Sequence, residues 1–382
     1  MNQRERFLKT AEFGDPDRMF LLSPWCWPDT LERWHKEGLP DNTDLCEYFT
    51  TDREHGVPLT MQGPYGIYLN PPYEVEKISE DDEWIIQRDI DGSVVKLPKG
   101  DRYRSMPQWI SYPMDNRDDW VKKIKPRIDA SIPGRLPEGK EWDDYTDKVK
   151  TRDYPLGVWC GSLYGWPRSL MGVEAFSYLL YDDPMFVHEI CEHIADFAVE
   201  IITPVVKSID IDYAFIWEDM AGKSGPLCSP ETYRKYMAGP LKRITSVLRN
   251  NGVKNIIIDS DGNNDVLVPL WLECGVNGLR PYEIAAGCDP VASRKLYGKD
   301  LIIQGGIDKR ALAKSKNDIE KEVLSKVPWL CLQGGYFPQV DHLTPPDVSM
   351  ENYVYYSELM KKVVDDPEKY LYEAKTKRYW CE

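Results

Sequence analysis

The second part of the chain alternates short apolar runs with helical patterns. Each apolar run ends in polar or glycine residues, which is typical of buried strands that lead into loops. Six strands are predicted at 156–160, 213–217, 255–258, 276–279, 301–303 and 329–332. Helices are predicted near 169–181, 184–207, 229–252, 289–298, 317–326 and 349–364, and one more follows the strand at 255–258 and ends near 274. This alternation implies parallel strands joined by right-handed helical crossovers.

The first part of the chain is less regular. Its predicted elements are an amphipathic helix over 2–12, a strand at 19–22, a helix near 29–37 and a strand near 58–62. Residues 73–104 then alternate polar and apolar positions around a tight turn at Asp91-Gly92. That pattern predicts an inserted β-hairpin or three-stranded meander. A charged helix near 116–125 and a polar stretch over 126–152 that crosses the surface follow.

Two early strands and six later ones add up to a single (β/α)8 TIM barrel. The predicted barrel spans 1–382, with an N-terminal extension and the insertion at 73–104. A chain of this length suits that fold better than a doubly wound sheet. No GxGxxG fingerprint follows the first strand, so a dinucleotide-binding fold loses its main support.

Composition changes this picture only through what it excludes. The formal net charge of −15 argues against nucleic acid and anionic membranes as partners. Nine cysteines are scattered without a CxxC pair, which argues against a disulfide framework or a cysteine-rich zinc module. The first residues start a charged helix and not a signal peptide, and no apolar run reaches the ~18 residues that span a bilayer. We therefore expect a cytoplasmic protein.

Polar residues follow the predicted strands, and in a barrel these strand ends meet at one face. They are Glu218, Asp219, Asp259, Asp261, Arg280, Glu283, Asp308 and, on the last loop, His342. Two carboxylates at one buried strand end are costly unless a cation, a proton or hydrogen-bond donors meet them. The alternative is structural, because Asp219 and Asp308 directly precede predicted helices and would suit helix caps. A lone histidine such as His342 also commonly has a structural role.

Several of these residues lie in motifs that resemble those of the uroporphyrinogen decarboxylase superfamily. The motifs are Trp217-Glu218-Asp219-Met220-Ala221, Asp259-Ser260-Asp261-Gly262-Asn263, Gly305-Gly306-Ile307-Asp308-Lys309, and Gly334-Gly335-Tyr336 with Asp341-His342. The opening residues 4–8 and 16–18 are similar as well. The resemblance covers most of the chain and implies a (β/α)8 barrel. It leaves two branches, the porphyrinogen decarboxylases and the methyltransferases that work with corrinoid proteins.

Two departures from the family pattern favour the methyltransferase branch. The decarboxylases carry Gln-Ala-Gly-Arg after the first strand, with an arginine for substrate carboxylates, whereas this chain has Ser23-Pro24-Trp25-Cys26-Trp27-Pro28. Thiol-methylating relatives hold zinc with a His-x-Cys pair, which Asp259 and Asp261 replace here. The resemblance therefore implies transfer of a methyl group from a small methylated donor to the cob(I)alamin of a partner corrinoid protein. O-demethylation of a methoxylated aromatic is one such reaction.

This resemblance also implies roles for the residues at the strand ends. The candidate catalytic residues are Glu218, Asp259, Asp261 and His342, which would bind Zn²⁺ or another divalent metal or form a carboxylic acid donor. The candidate substrate-binding residues are Trp159, Trp217, Arg280, Tyr282, Glu283, Asp308 and Tyr336. Some of the aromatic ones would equally suit a core. A lyase acting on a carboxylated compound and a non-catalytic binding barrel stay open as alternatives, as does a homodimer.

Overall fold

The computed structural model describes residues 1–59, 68–99, 106–136 and 138–380. Its strands are β1 (His55–Gly56), β2 (Glu76–Glu80), β3 (Trp84–Arg88), β4 (Val94–Pro98), β5 (Gln108–Ser111), β6 (Leu156–Trp159), β7 (Tyr213–Trp217), β8 (Ala221–Gly222), β9 (Gly225–Pro226), β10 (Asn255–Asp259), β11 (Gly278–Tyr282), β12 (Ile302–Ile307) and β13 (Tyr336–Val340). Its α-helices are α1 (Gln3–Ala11), α2 (Pro28–Lys36), α3 (Leu45–Phe49), α4 (Arg117–Asp119), α5 (Gly139–Val149), α6 (Gly165–Met171), α7 (Val173–Asp182), α8 (Pro184–Ser208), α9 (Pro230–Tyr236), α10 (Ala238–Asn250), α11 (Val268–Glu273), α12 (Pro290–Tyr297), α13 (Lys309–Leu312), α14 (Lys316–Leu324), α15 (Val327–Gln333), α16 (Met350–Asp365) and α17 (Pro367–Thr376).

Seven of these strands form one parallel sheet, in the order β1-β6-β7-β10-β11-β12-β13. Strand β10 lies at its centre, and its last residue Asp259 is in register with Trp217 of β7 and with Arg280 of β11. The carboxyl ends of these three strands therefore lie side by side. In parallel α/β folds this is the edge where loops from different strands meet and carry the chemistry.

The apolar run of β10 explains why the sheet is covered on both faces. Ile257 belongs to an inner core on the concave face, whereas Ile256 and Ile258 belong to the outer core between the sheet and its helices. A continuous β-branched run suits a parallel strand that is buried on both sides. The 25-residue helix α8 buries its apolar face in the outer core. Across the described ranges, the structure has no helix with the length and apolarity that crossing a bilayer requires.

The inner core shows that the sheet is strongly curled. The ring of Phe7, on α1, lies 5.0 Å from the rings of both Tyr213 and Phe337, which belong to strands that are not neighbours. The carbonyl group of Thr10 accepts a hydrogen bond of 3.0 Å from the N–H of Gly335, just before β13. Helix α1 therefore closes the amino end of the curled sheet, and the carboxyl end is left for a site.

The predicted strand at 19–22 is not a strand in the structure. These residues are buried, but Leu21 exchanges its backbone hydrogen bonds with Asp52 in place of a neighbouring strand. Its N–H donates to Oδ2 of Asp52 (2.9 Å), and its carbonyl accepts from the N–H of Asp52 (2.7 Å). In the described part of the chain, the parallel sheet therefore has seven strands, one fewer than the eight that the sequence predicts. The other early strand, predicted near 58–62, falls partly outside the described residues, and β1 lies just before it.

The prediction of a strand at 329–332 is also wrong. These residues belong to α15, and the strand follows as β13 after Gly334 and Gly335. The run Trp329-Leu330-Cys331-Leu332 is apolar enough for either structure, and short apolar runs do not distinguish a strand from a buried helix. Helices α5 and α17 were not predicted, and the segment 126–152 holds α5 where the sequence predicts an irregular surface crossing.

The insertion forms an antiparallel sheet of four strands in the order β2-β3-β4-β5. Strands β2 to β4 lie where the alternating pattern places them. Strand β5 comes after the predicted end of the insertion at residue 104 and was missed. Residues 100–105 lie outside the described part of the chain. Among the described residues, the strands of the insertion form no ladder with the seven parallel strands.

Candidate active site

Asp261 and His342 face each other at the carboxyl end of the sheet. Asp261 lies two residues after β10, and His342 lies two residues after β13. The Nε2 atom of His342 is 3.2 Å from Oδ2 of Asp261, and the two side chains are 20% and 41% exposed, respectively. The centroid of the imidazole ring lies 5.2 Å from that of Trp25. The pair is therefore fixed by its neighbours and still accessible to a ligand.

The surroundings of His342 favour its charged form. Burial by itself lowers the pKa of His342, but the hydrogen bond and the negative charge of Asp261 outweigh this effect, so the pKa lies above its usual value. The charge of Lys309 opposes the rise and that of Glu283 supports it. The imidazolium form is thus favoured, and the pair can deliver a proton to a ligand.

Asp259 is engaged by Arg280 on the neighbouring strand. Its Oδ2 accepts from Nε of Arg280 and lies near the guanidinium Nη2, both at 2.7 Å. The guanidinium lies 3.7 Å from the centre of the Phe215 ring, within the inner core. Burial raises the pKa of Asp259, and the charge of Arg280 opposes this rise. Desolvation raises the pKa of Glu54 to about 7, and the charge of Arg280 opposes this rise as well. The charge of this arginine therefore balances two carboxylates.

Glu218, a predicted catalytic and metal-binding residue, is hydrogen-bonded to partners other than Asp261 and His342. Its side chain is fully buried. Its Oε2 accepts from the N–H groups of Leu163 (3.1 Å) and Tyr164 (2.7 Å), and its Oε1 accepts from the hydroxyl of Tyr233 (2.9 Å). Burial raises the pKa of Glu218 to about 7, and these hydrogen bonds limit the rise. Glu218 therefore ties the loop after β6 to helix α9.

Asp219 reaches the site where Glu218 does not. Its φ of +37° is unusual for a residue other than glycine, and such strain concentrates at functional sites. Its carboxylate pairs with Arg168, whose Nε also donates to the Asp219 carbonyl at 3.0 Å. Burial raises the pKa of Asp219 to about 6; Arg168 opposes this rise and Asp261 supports it. Asp219 leads into β8 and caps no helix, in contrast to the structural alternative from the sequence.

The predicted substrate-binding residue Asp308 is a helix cap. Its Oδ1 accepts from the N–H of Arg310 (2.9 Å) at the start of α13, and its carboxylate pairs with the Arg310 guanidinium at 2.7 Å. Glu283, in contrast, lies at the site. Its Oε2 accepts from the N–H of Gly262 at 3.0 Å, next to Asp261.

The predicted aromatic residues fall into two groups. Tyr282 and Tyr336 are fully buried in the outer core, and the Tyr336 hydroxyl donates to the carbonyl of Gly305 at 3.0 Å. Trp159 and Trp217 are half-buried. Each lies under an arginine of the site, with Arg280 5.8 Å from the Trp159 ring and Arg168 5.2 Å from the Trp217 ring. Only these tryptophans, of the four predicted aromatic residues, are placed to meet a ligand.

Comparison with known proteins places this site in a family. The family model described as uroporphyrinogen decarboxylase (URO-D) matches residues 94–363, well over half of the chain. The chain belongs to the uroporphyrinogen decarboxylase family. The match begins at β4 and ends in α16, so it includes the Asp261–His342 pair and β6 to β13.

Two known proteins are similar to this chain, one in sequence and one in structure. The uroporphyrinogen decarboxylase of Legionella pneumophila (strain Paris) is 23% identical over 177 residues, which make up 46% of this chain and 47% of that protein. The chain thus matches about half the length of this curated relative. The structure of a methyltransferase from Methanosarcina mazei aligns with a TM-score of 0.55 and 14% identity, over 95% of this chain and 99% of that one. The latter likeness shows that the two proteins share a fold.

The four predicted metal ligands of this family member are not brought together. Glu218 binds backbone N–H groups, and Asp259 binds Arg280. Only Asp261 and His342 remain adjacent. Within the described ranges, no group of three or more histidine, cysteine, aspartate or glutamate side chains is arranged to hold a metal ion. The residues present do not fit a divalent cation, and we derive no step through one.

Four residues at the site were missed by the sequence interpretation. They are Trp25, Arg168, Lys309 and Glu54. Trp25 lies in the stretch 23–28 that departs from the family pattern, and Lys309 lies in the motif at 305–309. Nothing in the local sequence distinguishes Arg168 or Glu54, because their importance depends on which strands are neighbours.

Proposed function

We propose that this member of the family transfers a methyl group from a small methylated donor to the cob(I)alamin of a partner corrinoid protein. A methoxylated aromatic is the proposed donor class. The observation that carries the proposal is that the cations around the Asp261–His342 pair are already neutralised. Arg168 pairs with Asp219, Arg280 with Asp259, and Lys309 with Glu283 and Asp341. A polycarboxylated macrocycle would meet more negative than positive charge here, which disfavours its binding.

The proton held by Asp261 and His342 suits the chemistry of ether cleavage. A phenolate is a poor leaving group, and protonation of its oxygen as the O–CH₃ bond breaks lowers the barrier. The corrinoid, when bound, supplies the nucleophile that takes the methyl group, so the chain needs no activated serine or cysteine. His342 would give its proton to the departing oxygen, and Asp261 would stabilise the imidazolium beforehand. Trp159 and Trp217 would pack against the aromatic ring of the donor.

The rim of the carboxyl end offers apolar surface for a partner-borne corrinoid. Trp25, Leu227 and Val266 lie on loops at this end and are 46%, 42% and 59% exposed. Exposed apolar side chains at a site are typical of surfaces that a partner covers. These residues would contact the edge of the corrinoid macrocycle. The donor site would then be covered at the carboxyl end of the sheet only when the partner is bound.

The proposal is tested with free cob(I)alamin and a panel of methoxylated aromatics, methylamines and methylated sulfur compounds. Formation of methylcobalamin is followed by its absorbance. We expect turnover with at least one methoxylated aromatic, and a loss of about 100-fold in His342→Gln, typical for removal of a proton donor. The control is His188→Gln, since His188 lies on α8 and packs on Tyr236 of α9. No turnover with the whole panel, or equal rates in both variants, contradicts the proposal.

A lyase reaction on a carboxylated compound is the second candidate. The observation in its favour is the likeness to the Legionella pneumophila enzyme. The two candidates separate in one experiment, because release of carbon dioxide without any corrinoid would support the lyase and would not occur in methyl transfer.

A further inference from the structure

A single ammonium group links four strand ends around the site. Nζ of Lys309, the first residue of α13 and two residues after β12, lies 3.1 Å from Oε1 of Glu283, which follows β11, and 3.5 Å from Oδ1 of Asp341, which follows β13. The other oxygen of Glu283 accepts from the N–H of Gly262, which follows β10. Lys309 is 18% exposed and the Asp341 side chain is fully buried, so this contact is shielded from solvent.

The two ends of this network adjoin the two members of the reactive pair. Gly262 follows Asp261 in sequence, and Asp341 precedes His342. Gly262 has a φ of +80°, and a Cβ added there would lie 2.5 Å from the carbonyl carbon of Ala221. No other residue fits this position without a shift of the backbone. The loop that carries Asp261 is therefore held between Ala221 on one side and Glu283 on the other.

The carboxylate of Asp341 is equally constrained. Its Oδ2 accepts from the N–H of Ile284 (2.9 Å) and its Oδ1 from the backbone N–H of Lys309 (3.1 Å). Its own N–H donates to the carbonyl of Ile307 (2.8 Å). The backbone that leads into His342 is thus fixed to the ends of β11 and β12. The ammonium of Lys309 supplies the charge that balances this buried carboxylate.

We propose that Lys309 is a positioning residue that sets the distance between Asp261 and His342, by holding Glu283 and Asp341 together. The assignment extends the proposed function, because the pair it positions is the proposed proton source. Lys309 itself stays behind the pair and contacts no substrate. Losing the ammonium would leave Glu283 and Asp341 as two unbalanced carboxylates at the ends of β11 and β13, on either side of β12. Their repulsion would move the loops of Gly262 and His342 apart.

The test compares Lys309→Met, which keeps an unbranched side chain one atom shorter and removes its charge, with two other variants. Glu283→Gln keeps an acceptor for the Gly262 N–H and removes the other half of the ion pair, with less risk to folding. Lys316→Met is the matched control, because Lys316 pairs with Glu351 on the exposed surface. The ring signals of the five histidines are recorded by ¹H–¹³C NMR, with His342 assigned from the His342→Gln spectrum.

We expect the pKa of His342, followed by a pH titration of its ring signal, to fall in Lys309→Met and in Glu283→Gln as the pair separates, and to stay unchanged in Lys316→Met. Loss of the Lys309 charge alone would instead raise the pKa of His342. Methyl transfer should fall at least tenfold in kcat for Lys309→Met, with KM within about twofold, as positioning predicts. A His342 pKa that is unchanged or higher in Lys309→Met overturns the proposal, as does an unchanged pKa in Glu283→Gln should the first variant not fold. The NMR measurement needs no turnover, so a failure of the proposed methyl transfer leaves this result readable.

Discussion

The Nε2 atom of His342 lies 3.2 Å from Oδ2 of Asp261, although the two residues come from loops after strands that are not neighbours in the sheet. Asp259, only two residues before Asp261, is bound to Arg280 and lies deeper in the fold. Two aspartates on one short stretch therefore have different partners. The exposed one is available for proton transfer, and the buried one balances a core arginine.

Asp261→Asn should shift the pH dependence of methyl transfer. Asp261 raises the pKa of His342, so the protonated ring persists to higher pH in the wild type. Its loss should move the alkaline limb of the kcat profile to lower pH, with about a tenfold loss above that limb for each pKa unit removed. The control is Asp347→Asn, which changes an exposed aspartate in the loop that carries His342. Identical limbs in the wild type and Asp261→Asn would refute this assignment.

The role of Glu218 predicts a stability effect that depends on the substituent. Glu218→Ala leaves the N–H groups of Leu163 and Tyr164 without an acceptor, and we expect a loss of ~3 kcal/mol in the free energy of unfolding. Glu218→Gln keeps an oxygen for them and removes the charge, so its loss should be below ~1 kcal/mol. Urea titrations at pH 7 measure both. Equal losses in the two variants would contradict the hydrogen-bonding account.

The raised pKa of Glu218 predicts how the free energy of unfolding changes with pH. Burial raises the pKa of Glu218 to about 7 in the folded protein, from an unfolded value of 4.5. The folded state therefore binds this proton more tightly, and the associated stabilisation is present below pH 4.5 and is lost as the pH rises through about 7. Glu218→Gln should abolish this dependence, so its stability relative to the wild type should improve between pH 5 and pH 8.

The sequence predicted the parallel order of the sheet and the strand ends that form the site, because hydrophobic runs and chain order determine both. It did not predict which of two adjacent acidic residues enters the site. Glu218 and Asp219 follow the same strand, and the choice depends on the left-handed φ of Asp219 and on donors from Leu163 and Tyr164. Those donors come from the loop after β6, far away in sequence.

The error at 19–22 has a similar origin. The segment is apolar and buried, but Leu21 bonds to one side-chain oxygen and one backbone N–H of Asp52, and to no neighbouring strand. Strand assignment depends on the backbone of a neighbour, which a local pattern does not contain. The tyrosines at 282 and 336 were misplaced for the opposite reason, since strand alternation points them outward into the helices.

Metal analysis should show whether the chain binds the metal ion that the sequence predicts or lacks it, as the arrangement of the side chains indicates. With Glu218 and Asp259 engaged elsewhere, Asp261 and His342 supply too few ligands for a stable Zn²⁺ site, which normally has three or four protein ligands. We expect well under one metal ion per chain in elemental analysis after dialysis, and no change in Tm on adding Zn²⁺. Stoichiometric zinc that is lost in Asp261→Asn would overturn this expectation.

Arg280→Met tests whether the inner charges are balanced as the structure indicates. The variant leaves Asp259 without its partner in the core, and we expect a loss of ~3 kcal/mol in the free energy of unfolding near pH 8. Burial already raises the pKa of Asp259, and it should rise further without Arg280. Asp259 would then bind a proton on acidification, so the loss should be smaller at pH 5 than at pH 8.

The double variant Arg280→Met with Asp259→Asn should recover much of the stability at pH 8. Arg310→Met is the control, because its exposed pair with Asp308 should contribute less than ~1 kcal/mol. Equal urea midpoints for Arg280→Met and Arg310→Met at pH 8 would show that the guanidinium does not balance a buried carboxylate.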